Sequence, residues 1–435
     1  MEENLDNQNI KYYEEKQKIY SGEKLKKKRR NRAIELRNYL KKTGSLIKNK
    51  LMKNAINLDK TKEDSEQKIK KVRNPGVDFL RLISMYNIVV NHYFYNADVF
   101  KHFPSYDRYF SLIHNFTDWN NNAFILISGI VGYKTNKYSN LIYIWLIVFF
   151  YTVGIDKYFS YFKKSNISKE DVYKDHYPMI FNRYWYFSSY FGMYLFLPVI
   201  NKGIVSLTKY ELRLVVLTTL GIFIFWREYK NPGDDLFHFH NGFSMIWQLT
   251  FYLTGAYIGK YRVEYNGILK YIYCLTCLFI YFFISYLFFK QNHGEIPFKI
   301  GSLTINPPYV IRRLISGNFN SGVKVIQSIT ICLFCLQLHF NKYLAKIICF
   351  LGPLIFSVYI IHHNTIILDH YVRNIFNNPP SDTSFNSILS IICLKSLRML
   401  IASLIIDYLR HLLFTLLRIR KILIFIETKM KEKLG

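Results

Sequence analysis

From Val77 to about Leu417 the chain alternates long apolar stretches with short polar ones. Ten stretches stand out, at 77–95, 119–134, 139–159, 180–200, 211–228, 242–260, 267–289, 322–340, 344–369 and 387–409. Crossing ~30 Å of hydrocarbon takes roughly 20 apolar residues as a helix, so each is read as a membrane span, the second being the shortest. Ahead of them lies a polar segment in which KLKKKRRNR (24–32) is followed by Leu36, Leu40, Ile47, Leu51 and Leu58 at close to helical spacing. That spacing predicts a basic amphipathic helix, interrupted near Gly44. The last apolar run, His411 to Ile426, is dotted with arginines and predicts a helix lying at the interface. The pattern therefore predicts an all-α, polytopic transmembrane bundle of about ten helices. Its expected parts are a basic extension over 1–73, partly helical or disordered, a membrane domain over 74–410 and a basic C-terminal segment over 411–435.

Composition sharpens this picture. Half of the 435 residues are hydrophobic, 18% are aromatic, and 58 Lys plus Arg against 30 Asp plus Glu give a net charge of +28. A disulfide scaffold, a collagen-like fibre and a mainly disordered chain are excluded. Residues 1–73 alone carry 22 basic and 11 acidic side chains. An even number of spans puts both basic ends on one side, and the positive-inside bias places both termini in the cytoplasm of a plasma (inner) or secretory-pathway membrane. The extension is expected to contact anionic lipid rather than nucleic acid. The opening MEENLDNQN predicts no cleaved signal peptide. All six cysteines lie in apolar stretches, and the CxxC spacings Cys274/Cys277 and Cys332/Cys335 read as packing rather than zinc ligands. His238 and His240, beside Asp234 and Asp235, read as a solvated loop, so no metal site is expected. Walker, GxGxxG, HExxH and GxSxG motifs are absent.

The first span, RNPGVDFLRLISMYNIVVNHYFY, is unusually polar for a segment entering lipid. Arg81 and His92 are eleven residues apart, which returns to within about 20° of one helix face after a rise of about 16 Å. Asp78, one turn before Arg81, shares that face. Ionisable groups inside a bilayer face a cavity or one another, which makes a functional site the first hypothesis. Spacing alone leaves open an interfacial Asp78/Arg81 ion pair and a hydrogen-bonded core histidine.

Four segments taken in order carry a resemblance: Asp78 to His92, FILISGIVGYK (124–134), WYFSSYFGMYLFLPVIN (185–201) and LGPLIFSVYIIHH (351–363). Together they resemble the acyltransferase 3 family, integral membrane enzymes that acylate sugars and other hydroxyl acceptors. The resemblance spans about 73–410 and leaves the N-terminal extension outside it. It implies a membrane O-acyltransferase, an O-acetyltransferase in the first instance, moving acetyl from acetyl-CoA or another acyl-CoA to a carbohydrate or glycolipid. No permanently bound cofactor is implied, only the donor as co-substrate.

The family's catalytic histidine maps onto His92, and imidazole suits proton abstraction from a hydroxyl near neutral pH. A covalent acyl-imidazole on the same ring is a second route. The family's basic residue maps onto Arg81, a candidate for donor phosphate, with Asp78 orienting it. Ser357, Tyr359 and His362 match the conserved helix near the end of the domain. Tyr359 and His362, three apart, can share a cavity and position acceptor or base, or hold the fold; His363 is expected to point elsewhere. Ser128 and Gly129 match an SG motif that serves close packing or ligand approach. Where relatives carry arginine after it, this chain has Lys134 and Lys137, which cannot hold phosphate bidentately. Arg183 and Trp185 are candidates for acceptor binding or for anchoring at the interface. Two further readings compete: a transporter of glycan or small solute using Asp78, Arg81 and His92 as a polar relay, and a non-catalytic membrane scaffold.

Overall fold

The computed structural model of the chain describes residues 31, 73–163, 168–229, 238–292, 298–300, 303–305, 319–378 and 382–434. The chain divides between Arg73 and Asn74 into two units, and the description concerns the second. The basic helix expected within 1–73 and the carboxylates Asp234 and Asp235 lie outside the described residues.

The order is α1 (Pro75–Asn96), α2 (Val99–His102), α3 (Asp107–Thr117), α4 (Asn120–Gly132), α5 (Tyr138–Phe162), α6 (Lys169–His176), α7 (Trp185–Ser206), α8 (Lys209–Tyr229), α9 (Met245–Tyr261) and α10 (Gly267–Asn292). A short antiparallel pair follows, β1 (Phe298–Ile300) with β2 (Leu303–Ile305), Phe298 opposite Ile305. Then come α11 (Gly322–Leu336), α12 (Lys342–Leu351), α13 (Ile355–His362), α14 (Thr365–Tyr371), α15 (Phe385–Leu416) and α16 (Ile419–Leu434). Each of the ten expected stretches overlaps a helix, although 180–184 precedes α7 and 337–340 follows α11. Among the described residues, four segments are long and apolar enough to cross a membrane: Tyr138–Phe162, Gly267–Lys290, Lys342–His362 and Phe385–Leu416.

Two boundaries differ from the sequence reading. The single stretch 344–369 is broken, because Gly352–Leu354 forms a 3-10 turn with Pro353 at its start, and Asn364 ends the run by capping α14 through the Ile366 amide. The last span runs on past 409 to Leu416, and the break comes at Arg418, whose φ is +53°. It extends because Asp407 and Arg410 pair with each other instead of ending the apolar run.

Helix α1 starts where Asn74 caps the Gly76 amide at 2.8 Å and Pro75 fills the first position, which fixes the height of Asp78 and Arg81. It is the central helix, packed against α3, α4, α11, α12, α13 and α15. Its first half joins one hydrophobic cluster with α4, α7, α8, α9 and α11; its second half joins another with α2, α5, α13 and α15. Tyr186 and Phe191 of α7 touch both clusters. Helices α4 and α9 meet backbone to backbone, where a Cβ on Gly129 would fall 2.1 Å from the Tyr252 carbonyl and one on Gly255 2.1 Å from that of Leu126. Gly255 and Gly259 form the small-xxx-small spacing that lets helix backbones meet in an apolar medium.

Candidate active site

At the far end of α1, His92 meets the C-terminal end of α13. The His92 ring lies 4.9 Å from that of His362 and 4.8 Å from that of His363. Its Nδ1 is 3.0 Å from His362 Nε2, while His362 Nδ1 lies 2.5 Å from the Val358 carbonyl oxygen. A carbonyl only accepts, so His362 Nδ1 carries the hydrogen and, in the neutral ring, its Nε2 is an acceptor. His92 Nδ1 must then donate, and His92 Nε2 is left with a bare lone pair. The two bonds together fix the tautomer of His92 in the form that takes up a proton.

His363 overturns the expectation that it points away. The helix ends at His362, and two consecutive side chains there straddle a ring arriving from a crossing helix. Tyr359 stacks on His363 at 5.6 Å. Among the described residues the buried Tyr359 hydroxyl and His363 Nδ1 make no hydrogen bond of good geometry. Tyr184 holds this corner in place, donating to the Ile360 carbonyl at 3.2 Å and accepting from Asn364 at 3.5 Å.

From here a row of tyrosines leads along α7. Tyr186 faces Tyr359 at 6.0 Å, Tyr190 stacks on Tyr186 at 6.4 Å, and Tyr194 follows at 5.9 Å. Tyr190 lies within reach of Ser128 and of the field of Arg81. Arg81 is held by the fully buried Asp78 carboxylate and keeps 21% of its side-chain surface. His92, Tyr186 and Tyr190 are each partly buried. The spacing of Tyr186, Tyr190 and Tyr194 by four was legible in the sequence as one helix face; their alignment with Tyr359 on another helix was not.

The remaining expected residues spread out. Ser128 donates to the Phe124 carbonyl at 3.0 Å, and Gly129 is a packing position against α9 rather than part of the lining. Lys134 is exposed two residues beyond the end of α4. Since Asn87 bonds Asn120 and Asn91 bonds Thr117, α4 runs antiparallel to α1, so Lys134 and Arg81 share one end of the bundle. Arg183 is turned to Asp171 at 2.6 Å and Asp175 at 2.9 Å, anchoring α6. Trp185 packs on Phe243 at 4.4 Å. Ser357 is buried on α13, about 140° around the helix from His362. His238 and His240 have rings 6.0 Å apart, and no group of three metal-ligating side chains occurs among the described residues.

A family profile described as an acyltransferase domain matches residues 74–407, from the cap of α1 to Asp407. No curated protein and no solved structure matches the chain. The match takes in His92, Arg81, Ser128, Tyr359 and His362 in one stretch that covers most of the chain, and the protein belongs to the acyltransferase 3 family of membrane acyltransferases.

Proposed function

We propose that the protein is a multi-pass membrane O-acyltransferase that takes acetyl from acetyl-CoA and places it on a hydroxyl of a carbohydrate or glycolipid, with both termini in the cytoplasm. The observation that carries this reading is the pair of bonds Val358–His362–His92, which leaves His92 Nε2 as a base of fixed tautomer. The acceptor hydroxyl attacks the thioester carbonyl while its proton passes to His92 Nε2. The new C–O bond forms, the C–S bond breaks, and the proton returns from His92 to the leaving thiolate as free CoA thiol. Tyr359 and His363 supply a hydroxyl and a ring nitrogen with capacity left for the oxygen that gains charge in the transition state.

Arg81, steadied by Asp78, serves the donor phosphates at the cytoplasmic end, with Lys134 near the same mouth. The rise of about 16 Å between Arg81 and His92 suits an extended pantetheine arm lying along Tyr190 and Tyr186. The test is label transfer from acetyl-CoA into the glycan and lipid fractions of membranes carrying wild-type or His92→Ala protein. Transfer is expected to fall about 10²–10⁴-fold in the variant at equal folded protein. Equal transfer in both would remove His92 from the chemistry.

A further inference from the structure

A second polar cluster lies beside His92 and takes no part in the relay described above. Tyr95 is one turn beyond His92 on α1 and is 55% exposed. Its hydroxyl is 2.6 Å from His114 Nε2. His114 Nδ1 faces Asn91 Oδ1 at 3.3 Å, and Asn91 turns its amide to the Thr117 carbonyl, so the His114 hydrogen sits on Nδ1 and the bare Nε2 accepts from Tyr95. Asp118 Oδ2 is 3.8 Å from the same Nε2 and 3.4 Å from Lys324 Nζ.

The row thus runs from an exposed phenol to an ammonium that is 0% exposed. Lys324 is ion-paired with Asp118 and lies over the face of Phe288 at 4.6 Å, and among the described residues its ammonium has no further partner. One turn on, the Oε1 of fully buried Gln327 also has no partner among the described residues, although its Nε2 donates to Ser285 and to the Asn115 carbonyl. A buried donor and a buried acceptor with unmet capacity, side by side on α11, are expensive to leave so in an apolar helix bundle. Asp118 balances the charge of Lys324, so what completes the pair is a neutral group that both donates and accepts, as a hydroxyl does.

We infer that the cluster of Tyr95, His114, Asp118, Lys324 and Gln327 is the acceptor site, binding a neutral, hydroxyl-rich carbohydrate with one sugar ring over Tyr95. Its hydroxyls enter the row toward Lys324 and Gln327, and another is presented to His92 one turn back along α1. This rests on the transferase reading above, and the test separates the two.

The experiment uses the full chain in membranes, labelled acetyl-CoA as donor and a graded amount of the carbohydrate fraction of host membranes as acceptor. Lys324→Met and Tyr95→Phe are compared with wild type. The acceptor amount giving half-maximal transfer is expected to rise about tenfold or more in Lys324→Met and several-fold in Tyr95→Phe, as the loss of one or two hydrogen bonds to a ligand produces. The KM for acetyl-CoA stays where it was. An unchanged acceptor dependence in folded variants would make the cluster a water-filled structural network and overturn the assignment. Tyr95→Phe keeps the test decisive should Lys324→Met fail to fold, because the phenol is at the surface. A wild-type protein that transfers no label removes the transferase reading itself, and the acceptor site with it.

Discussion

Two of the polar clusters set into the apolar helices are built to opposite rules. Where α15 meets α5, Asp407 accepts from Arg410 through both oxygens at 2.8 Å and from the Tyr151 hydroxyl at 2.7 Å, and Arg410 reaches Tyr143 at 3.1 Å while its guanidinium lies over Phe414 at 5.1 Å. Both carboxylate oxygens are used, and the charges cancel. Around His92, by contrast, the buried Tyr359 hydroxyl and His363 Nδ1 have bonding capacity that no side chain among the described residues takes up. A closed network holds helices together; an open one keeps bonding capacity for something that arrives later. Polarity in a hydrophobic stretch is therefore not by itself a sign of chemistry. Its degree of saturation is the better guide.

The contrast can be broken most severely at the closed cluster. Asp407→Ala leaves the Arg410 guanidinium buried and unpaired, and is expected to cost about 3–5 kcal/mol of stability. The thermal midpoint and folded yield in detergent should fall, while transfer per folded molecule is kept. A loss of turnover at unchanged stability would show that the cluster is not the simple anchor described. The opposite pattern is expected from His362→Phe, which removes the acceptor that fixes the His92 tautomer. There kcat should fall about 10- to 100-fold with yield unchanged, in line with the cost of losing a ring-orienting partner. Arg81→Ala is milder, with a KM for acetyl-CoA raised about tenfold and kcat nearly kept; a pure kcat loss would take Arg81 away from donor capture.

The smallest effect belongs to Glu427 of α16. Its carboxylate accepts from the Tyr138 and Ser139 amides at 3.2 and 3.1 Å, capping the N-terminus of α5 from far along the chain, and from Lys431 at 2.8 Å. Burial pushes this carboxyl up, but the hydrogen bonds from Lys431 and Ser139 outweigh it and hold the pKa at about 2, below the usual 4.5. A depressed carboxylate adds stability that is fully present above the unfolded value and is lost as pH falls toward 2. Glu427→Gln should thus be about 1 kcal/mol less stable than wild type near neutrality, the ordinary cost of losing a helix cap, with the gap closing below about pH 4. A gap that stayed constant with pH would mean that the charge contributes nothing.

Much of this was readable in the sequence because it depends on local spacing. The helical stretches and the shared face of Asp78, Arg81 and His92 follow from periodicity along one element, and the candidate pair Tyr359 and His362 follows from the family resemblance. What escaped depends on a partner elsewhere. His363 would point away if the helix carrying Tyr359 and His362 continued, but that helix ends at His362. Gly129 could not be told from a ligand contact until Gly255 was seen against it. Lys324 and Gln327 look like ordinary punctuation in an apolar run until α3 is packed beside them. The break at Gly352–Leu354 was visible as Gly-Pro, but the apolar residues on both sides hid it.

The clamp at Glu427 has a consequence in time. The amides it holds belong to residues made 289 positions earlier, so during synthesis the start of α5 stays uncapped until Glu427 has been made. A product shortened before Glu427 would leave this seam open to membrane quality-control proteases.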